Sequence, residues 1–246
     1  MEFYNLGNDS SIGVIILGVV VFYYIYYYTS ESKSIVKFIQ QNVADGNSGL
    51  ALFFYKKING LFLLGVVPAF LYFSVLNASG DKFGLSLNHL SSSFLLVAGL
   101  ILLTAIVLFF HHRGKPNRST LQIYPAQWNT SLFMLNILGW SLYLIAYEFL
   151  FRGILLFECY EHLGFWPAVA INISIYSAIH MVNGKDQTIG ALVFGTLACY
   201  FTLTRGTLLI PIFMHLSLSI LSNFYSVKNM QHFQMDVKKP VNIKDK

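Results

Sequence analysis

The sequence predicts an all-α bundle of about seven membrane-spanning helices, and three observations lead there. Mean hydropathy is +0.58. Hydrophobic residues make up 55% of the 246 positions and charged residues only 11%, well under the quarter usual in soluble domains. Apolar segments of about the 17–25 residues that a spanning helix needs recur at 12–28, 58–76, 93–110, 131–157, 165–182, 189–204 and 207–225.

The first segment follows a mildly acidic N-terminus rather than a basic one, and no small-residue cleavage pattern follows it, so it reads as a retained helix. Its Tyr23, Tyr24, Tyr26, Tyr27 and Tyr28 suit an aromatic interface belt. Residues 34–55 are broken by Lys37, Gln40, Gln41, Asn42 and Asp45-Gly46-Asn47, a pattern suited to an interfacial helix followed by a turn. The second and third spans come next, and then a polar connection from His111 to Gln122. The fourth is the long stretch 131–157. Very short connections join the fifth, sixth and seventh, which makes them antiparallel neighbours. Three regions follow from this reading: N-terminal helices and loops (1–125), a core (126–226) and a polar tail (227–246).

Charge placement orients the bundle. With the N-terminus outside, the inner connections hold Lys33, Lys37, Lys56, Lys57, Arg113, Lys115, Arg118, Lys185, Lys228, Lys238, Lys239, Lys244 and Lys246, against Lys82 and Arg205 outside. This bias places the C-terminus in the cytoplasm, and the absence of long inserts suits a bacterial inner membrane. The net charge of +5 reports membrane orientation rather than nucleic-acid binding. Cys159 and Cys199 are too few for a disulfide framework and read as small apolar packing residues.

Against this apolar background, Tyr147-Glu148-Phe149-Leu150-Phe151-Arg152-Gly153 stands out. Four residues of helix stack Glu148 and Arg152 on one face, where they can pair in a medium that penalises a lone charge by at least ~2.5–3.5 kcal/mol. Of eleven acidic residues only Glu148 lies deep in a span, and of seven histidines only His180 and His215 do. A lone intramembrane histidine is commonly a packing residue. Three ionisable side chains on neighbouring helices satisfy one another only by converging. Counted from a turn near Gly164, Glu148 and His180 share one depth of ~24 Å, with His215 somewhat shallower.

Taken together, Tyr147-Glu148-x-x-x-Arg152-Gly153, Tyr176-x-x-x-His180 and His215-x-x-x-Ser219 resemble the three motifs of the CPBP family, the CAAX prenyl endopeptidase and bacteriocin-processing intramembrane proteases. The run from Ala191 through Gly195, Arg205, Gly206 and Pro211 to His215 also resembles the approach to the family's last motif. Two positions depart from the pattern: Tyr147 stands where the family has the first Glu of a Glu-Glu pair, and Ser219 where it has Asn.

The resemblance implies an intramembrane endopeptidase that activates water against a membrane-associated or prenylated peptide. The resemblance gives water activation to the first Glu position, here Tyr147, with His180, and a structural role to Glu148 with Arg152. Read from the residues alone, Glu148 and His180 hold the water, Arg152 fixes Glu148, and His215 with Ser219 donates to the oxyanion, while Tyr147 positions water or donates a hydrogen bond. A zinc version uses Glu148, His180 and His215 as ligands with a fourth position open to water. Two other readings stand beside the enzyme. One is a catalytically silent relative that binds a membrane protein or lipid-linked peptide as an immunity or scaffold factor. The other is a small transporter relaying protons, though the sequence shows no inverted repeat.

Overall fold

A computed structural model describes residues 10–44, 47–75, 84, 90–111, 123 and 128–238. Among these every regular element is helical: α1 (Ser10–Ser30), α2 (Lys33–Asn42), α3 (Ser48–Gly60), α4 (Val67–Val75), α5 (Leu90–His111), α6 (Thr130–Glu148), α7 (Phe157–Leu163), α8 (Phe165–His180), α9 (Lys185–Arg205) and α10 (Leu209–Lys238). Wide π-helical segments, Leu61–Val66 and Phe149–Leu156, join α3 to α4 and α6 to α7, so each pair forms one continuous rod.

Among the described residues five stretches are long and apolar enough to cross a membrane: Ile12–Ser30, Ser48–Ser74, Phe165–Asn183, Lys185–Arg205 and Leu209–Lys228. Phe94–Phe110 is a shorter apolar helix. The rod from Thr130 to Leu163, which contains the expected fourth span, is roughly 50 Å long at 1.5 Å per residue. The protein is therefore a polytopic helical membrane protein. Large apolar side chains exposed on α1 (Val14, Leu17, Val21) and α5 (Leu95, Leu102, Val107) are what a surface facing lipid tails requires.

Three boundaries differ from the sequence reading. The polar stretch 34–55 splits, with α2 carrying no buried residue and the remainder from Ser48 joining the second span. Lys57, expected in a cytoplasmic connection, is buried inside that rod at 1% exposure. Aromatic faces make this tolerable: its Nζ lies 3.1 Å from the Trp140 ring centroid and 4.6 Å from that of Tyr143. Finally, α10 continues to Lys238, well into the segment expected to be tail.

The core lies around the second π segment, where Leu150 to Leu156 are all buried. α1, α8 and α9 pack against this segment, α3 lies along α6, and α10 runs beside α5, α6 and α9. Polar contacts bind α1 to α3: Asn59 Nδ2 donates to Thr29 Oγ1 (2.8 Å) and Ser30 Oγ (2.9 Å), and Lys56 pairs with Glu31 at 2.5 Å. The arrangement holds α6 and the π segment at the centre, with α8, α9 and α10 around the acid they carry.

Candidate active site

Glu148 is the last residue of α6, and Arg152 lies within the π segment that follows. A π turn leaves backbone groups out of the α ladder, and such bulges concentrate at functional sites. Here the irregularity is secured by side chains. Asn172 of α8 donates from Nδ2 to the Phe151 carbonyl at 2.6 Å, and the Cys199 thiol of α9 donates to Asn172 Oδ1 at 3.2 Å. Cys199 thus does more than fill space, whereas Cys159 is buried and free.

Both charged side chains are fully buried. Arg152 Nη1 lies 3.3 Å from Glu148 Oε1 and 3.2 Å from Oε2, and the guanidinium rests on the Tyr176 ring, 4.1 Å from its centroid. His215 Nδ1 lies 2.5 Å from Glu148 Oε1. A carboxylate accepts, so Nδ1 carries the proton of this bond and Nε2 is left clear of the carboxylate. Glu148 is therefore paired with His215.

His180 joins the cluster through an aromatic wall. Its Nδ1 donates to its own Tyr176 carbonyl at 2.8 Å, and its ring lies 4.6 Å from the Tyr176 ring. Tyr176 also faces Tyr147 at 5.8 Å, and Phe194 of α9 bridges Tyr176 (6.3 Å) and His215 (4.9 Å). Gly195 lets α9 approach so closely, since a Cβ there would fall 3.2 Å from Tyr176 Cδ1.

Tyr147 is 3% exposed, with its ring 6.0 Å from that of His215. Its hydroxyl, like Arg152 Nε and Nη2, has no hydrogen-bond partner among the described residues. Ser219 lies one turn beyond His215, half-buried, and its carbonyl accepts from Asn223 Nδ2 at 2.7 Å. A separate cavity at the start of α6, lined by Trp128, Asn129, Phe133, Phe224 and Lys228, includes none of these residues.

The donor set does not fit the three-ligand zinc arrangement. Glu148 and His215 bond to each other, Arg152 occupies the carboxylate's other side, and among the described residues no group of three His, Cys, Asp or Glu side chains is arranged to hold a metal.

Asn172 and Phe194 were missed by the sequence reading. Asn172 carried a usable signal, being a polar residue within an apolar span one turn before Tyr176. Phe194 carried none, because an aromatic residue in a membrane helix is unremarkable.

An acid, an arginine and two histidines gathered between buried helices define a class: an integral membrane protein with a polar site inside its bundle. Residues 126–221 match the family model Rce1-like, described as type II CAAX prenyl endopeptidase Rce1-like. This segment contains every residue of the cluster, and the match supports membership of the CPBP family of intramembrane proteases. No curated protein and no solved structure matches the chain.

Proposed function

We propose that the protein is an intramembrane endopeptidase hydrolysing a peptide bond near the hydrophobic or prenylated end of a membrane-associated substrate. The observation that carries this is the fully buried Glu148, hydrogen-bonded to His215 at 2.5 Å and flanked by Arg152. Three polar side chains are held in an apolar bundle at a cost that packing alone does not explain.

The geometry favours His215 over Glu148 as the proton acceptor. Nε2 of His215 takes a proton from water while the resulting hydroxide attacks the carbonyl carbon. Glu148 stabilises the imidazolium through Nδ1–H, and Arg152 holds the carboxylate in place. Charge developing on the carbonyl oxygen is met by the unspent Tyr147 hydroxyl, with Ser219 as a second donor. When the C–N bond breaks, the proton on Nε2 passes to the leaving amine. His180, its Nδ1 committed to the Tyr176 carbonyl, offers Nε2 to orient the water. The partners are the lipid bilayer and a membrane-bound peptide, with no nucleic acid, and the setting is a bacterial cell membrane with the C-terminus cytoplasmic.

The test is cleavage of fluorogenic farnesylated peptides by purified protein in liposomes. Wild type is expected to cleave, with Glu148→Gln and His215→Asn each lowering kcat by about 10³ or more. Robust cleavage unaffected by Glu148→Gln removes this assignment of the site. One observation favours a second reading: Tyr147 occupies the position of the family's first Glu, which suits a silent relative acting as an immunity or scaffold factor. That reading gains if wild type cleaves nothing and Tyr147→Glu restores activity.

A further inference from the structure

The cavity at the start of α6 lies at the opposite end of that helix from Glu148, about 27 Å away along the axis, and the proposed chemistry leaves it unused. Its volume of about 320 Å³ falls in the range that small ligands occupy. Two helices build it: Trp128, Thr130 and Phe133 come from α6 and the residues just before it, and Phe224, Val227 and Lys228 from α10. Rings in contact join the two sides, Trp128 to Phe133 and Phe133 to Phe224, each pair 6.4 Å between centroids.

The polar groups left over at this cavity are donors. The Lys228 ammonium is exposed and pairs with no carboxylate among the described residues. Trp128 Nε1, which can only donate, has no partner there either. The side-chain oxygen of Asn129, which also lines the cavity, is already spent, accepting from the Leu132 N–H at 2.8 Å to cap α6. One cation with spare N–H and O–H groups beside an occupied acceptor suits an anion.

Place and lining say which anion. The span Leu209–Lys228 ends at the lysine, so the cavity sits at the depth of lipid headgroups, where a tryptophan is also at home. Lys185, which opens the antiparallel α9, lies at the same end of the bundle, the end that charge assigns to the cytoplasm. Phe133, Phe224 and Val227 give the cavity an apolar wall, and Phe224 is 47% exposed. A soluble phosphate has no use for that wall, whereas a phospholipid brings a phosphate and acyl chains together.

We propose that this cavity binds the headgroup of an anionic phospholipid, with Lys228, the Thr130 hydroxyl and Trp128 Nε1 serving the phosphate and Phe133, Phe224 and Val227 meeting the first methylenes of its chains. The lipid ties the near ends of α6 and α10 together, and these are the helices that carry Glu148 and His215. The site stands whether or not the protein cleaves peptides.

The test reads Trp128 directly. In a Trp140→Phe, Trp166→Phe background it is the one tryptophan left of three. The protein is reconstituted in phosphatidylcholine vesicles that hold a graded fraction of phosphatidylglycerol or phosphatidylcholine with chains brominated close to the glycerol. Brominated phosphatidylglycerol is expected to reach half-maximal quenching at a mole fraction about fivefold or more below that of brominated phosphatidylcholine. Lys228→Gln, a change at an exposed side chain that leaves the packing alone, brings the two lipids to within about twofold of each other. Lys185→Gln removes an exposed cation of the same face outside the cavity and keeps the preference. Equal quenching by both lipids in the unmodified background overturns the site. Equal loss of preference in the two lysine variants overturns it too, since the general surface charge then accounts for the effect. Displacement of the brominated phosphatidylglycerol by millimolar inorganic phosphate makes the ligand a soluble phosphate and overturns the lipid assignment. In a second readout, phosphatidylglycerol raises the Tm of the wild-type protein in detergent, and Trp128→Phe gives up part of that gain. An undiminished gain removes the indole from the site.

Discussion

Tyr147 carries a buried hydroxyl that donates to nothing among the described residues, beside a histidine already committed to a carboxylate. A phenol with a reference pKa near ~10 is a weak water activator at neutral pH, yet it is a good donor to a developing negative charge. Tyr147→Phe removes that donor and leaves the ring contacts with Phe151 and Tyr176 in place. It is therefore expected to lower kcat by about 10- to 100-fold with KM changed less than about twofold, as measured by steady-state cleavage in liposomes. Equal loss in kcat and gain in KM would place Tyr147 in substrate binding instead. That Glu148, Arg152 and His215 lie together was legible in the sequence, because each ionisable group in an apolar span costs enough to demand a partner. Which partners meet was not: depth counting placed Glu148 level with His180, but the offset of α10 brings His215 to the carboxylate. Lys57 escaped for a related reason, since hydropathy windows assign any lysine near a span boundary to water and cannot see an aromatic cage built from two helices.

At the scale of elements, the π segment Phe149–Leu156 sets the position of Arg152 and depends on α8 for its spare backbone acceptor. Asn172 donates to the Phe151 carbonyl and accepts from Cys199, linking three helices through one amide. Asn172→Leu leaves that buried carbonyl without its partner in a medium free of water. The expected cost is about 1–3 kcal/mol. This corresponds to a fall in Tm of roughly 3–10 °C, measured by thermal unfolding in detergent micelles. An unchanged Tm would show that the π segment is held by packing alone. Helix existence was legible from apolar length at nearly every position. The π irregularity was not, because nothing in Phe149-Leu150-Phe151 distinguishes a wide turn from an ordinary one.

For the whole molecule, orientation rests on charge. Moving Lys57 into the bundle removes one residue from the inner set and leaves the bias strong, with Lys56, Lys185 and Lys228 against Lys82 and Arg205. The ends of α9 provide the measurement, since Lys185 and Arg205 are both exposed and bracket one span. In a background with Cys159 and Cys199 replaced by alanine, a cysteine at position 205 is expected to react with an impermeant maleimide in intact cells. One at position 185 reacts only after permeabilisation. The opposite pattern inverts the topology and places the C-terminus outside.

The complete enclosure of Glu148 and Arg152 has a kinetic side. With neither side chain exposed and only His215 partly so, a peptide of the proposed kind engages the carboxylate through His215 unless neighbouring helices part. For the proposed hydrolase, turnover is expected to depend on how often those helices separate as well as on bond cleavage. Membrane thickness and lipid fluidity then become determinants of rate, and the bilayer acts as a component of the enzyme as much as its surroundings.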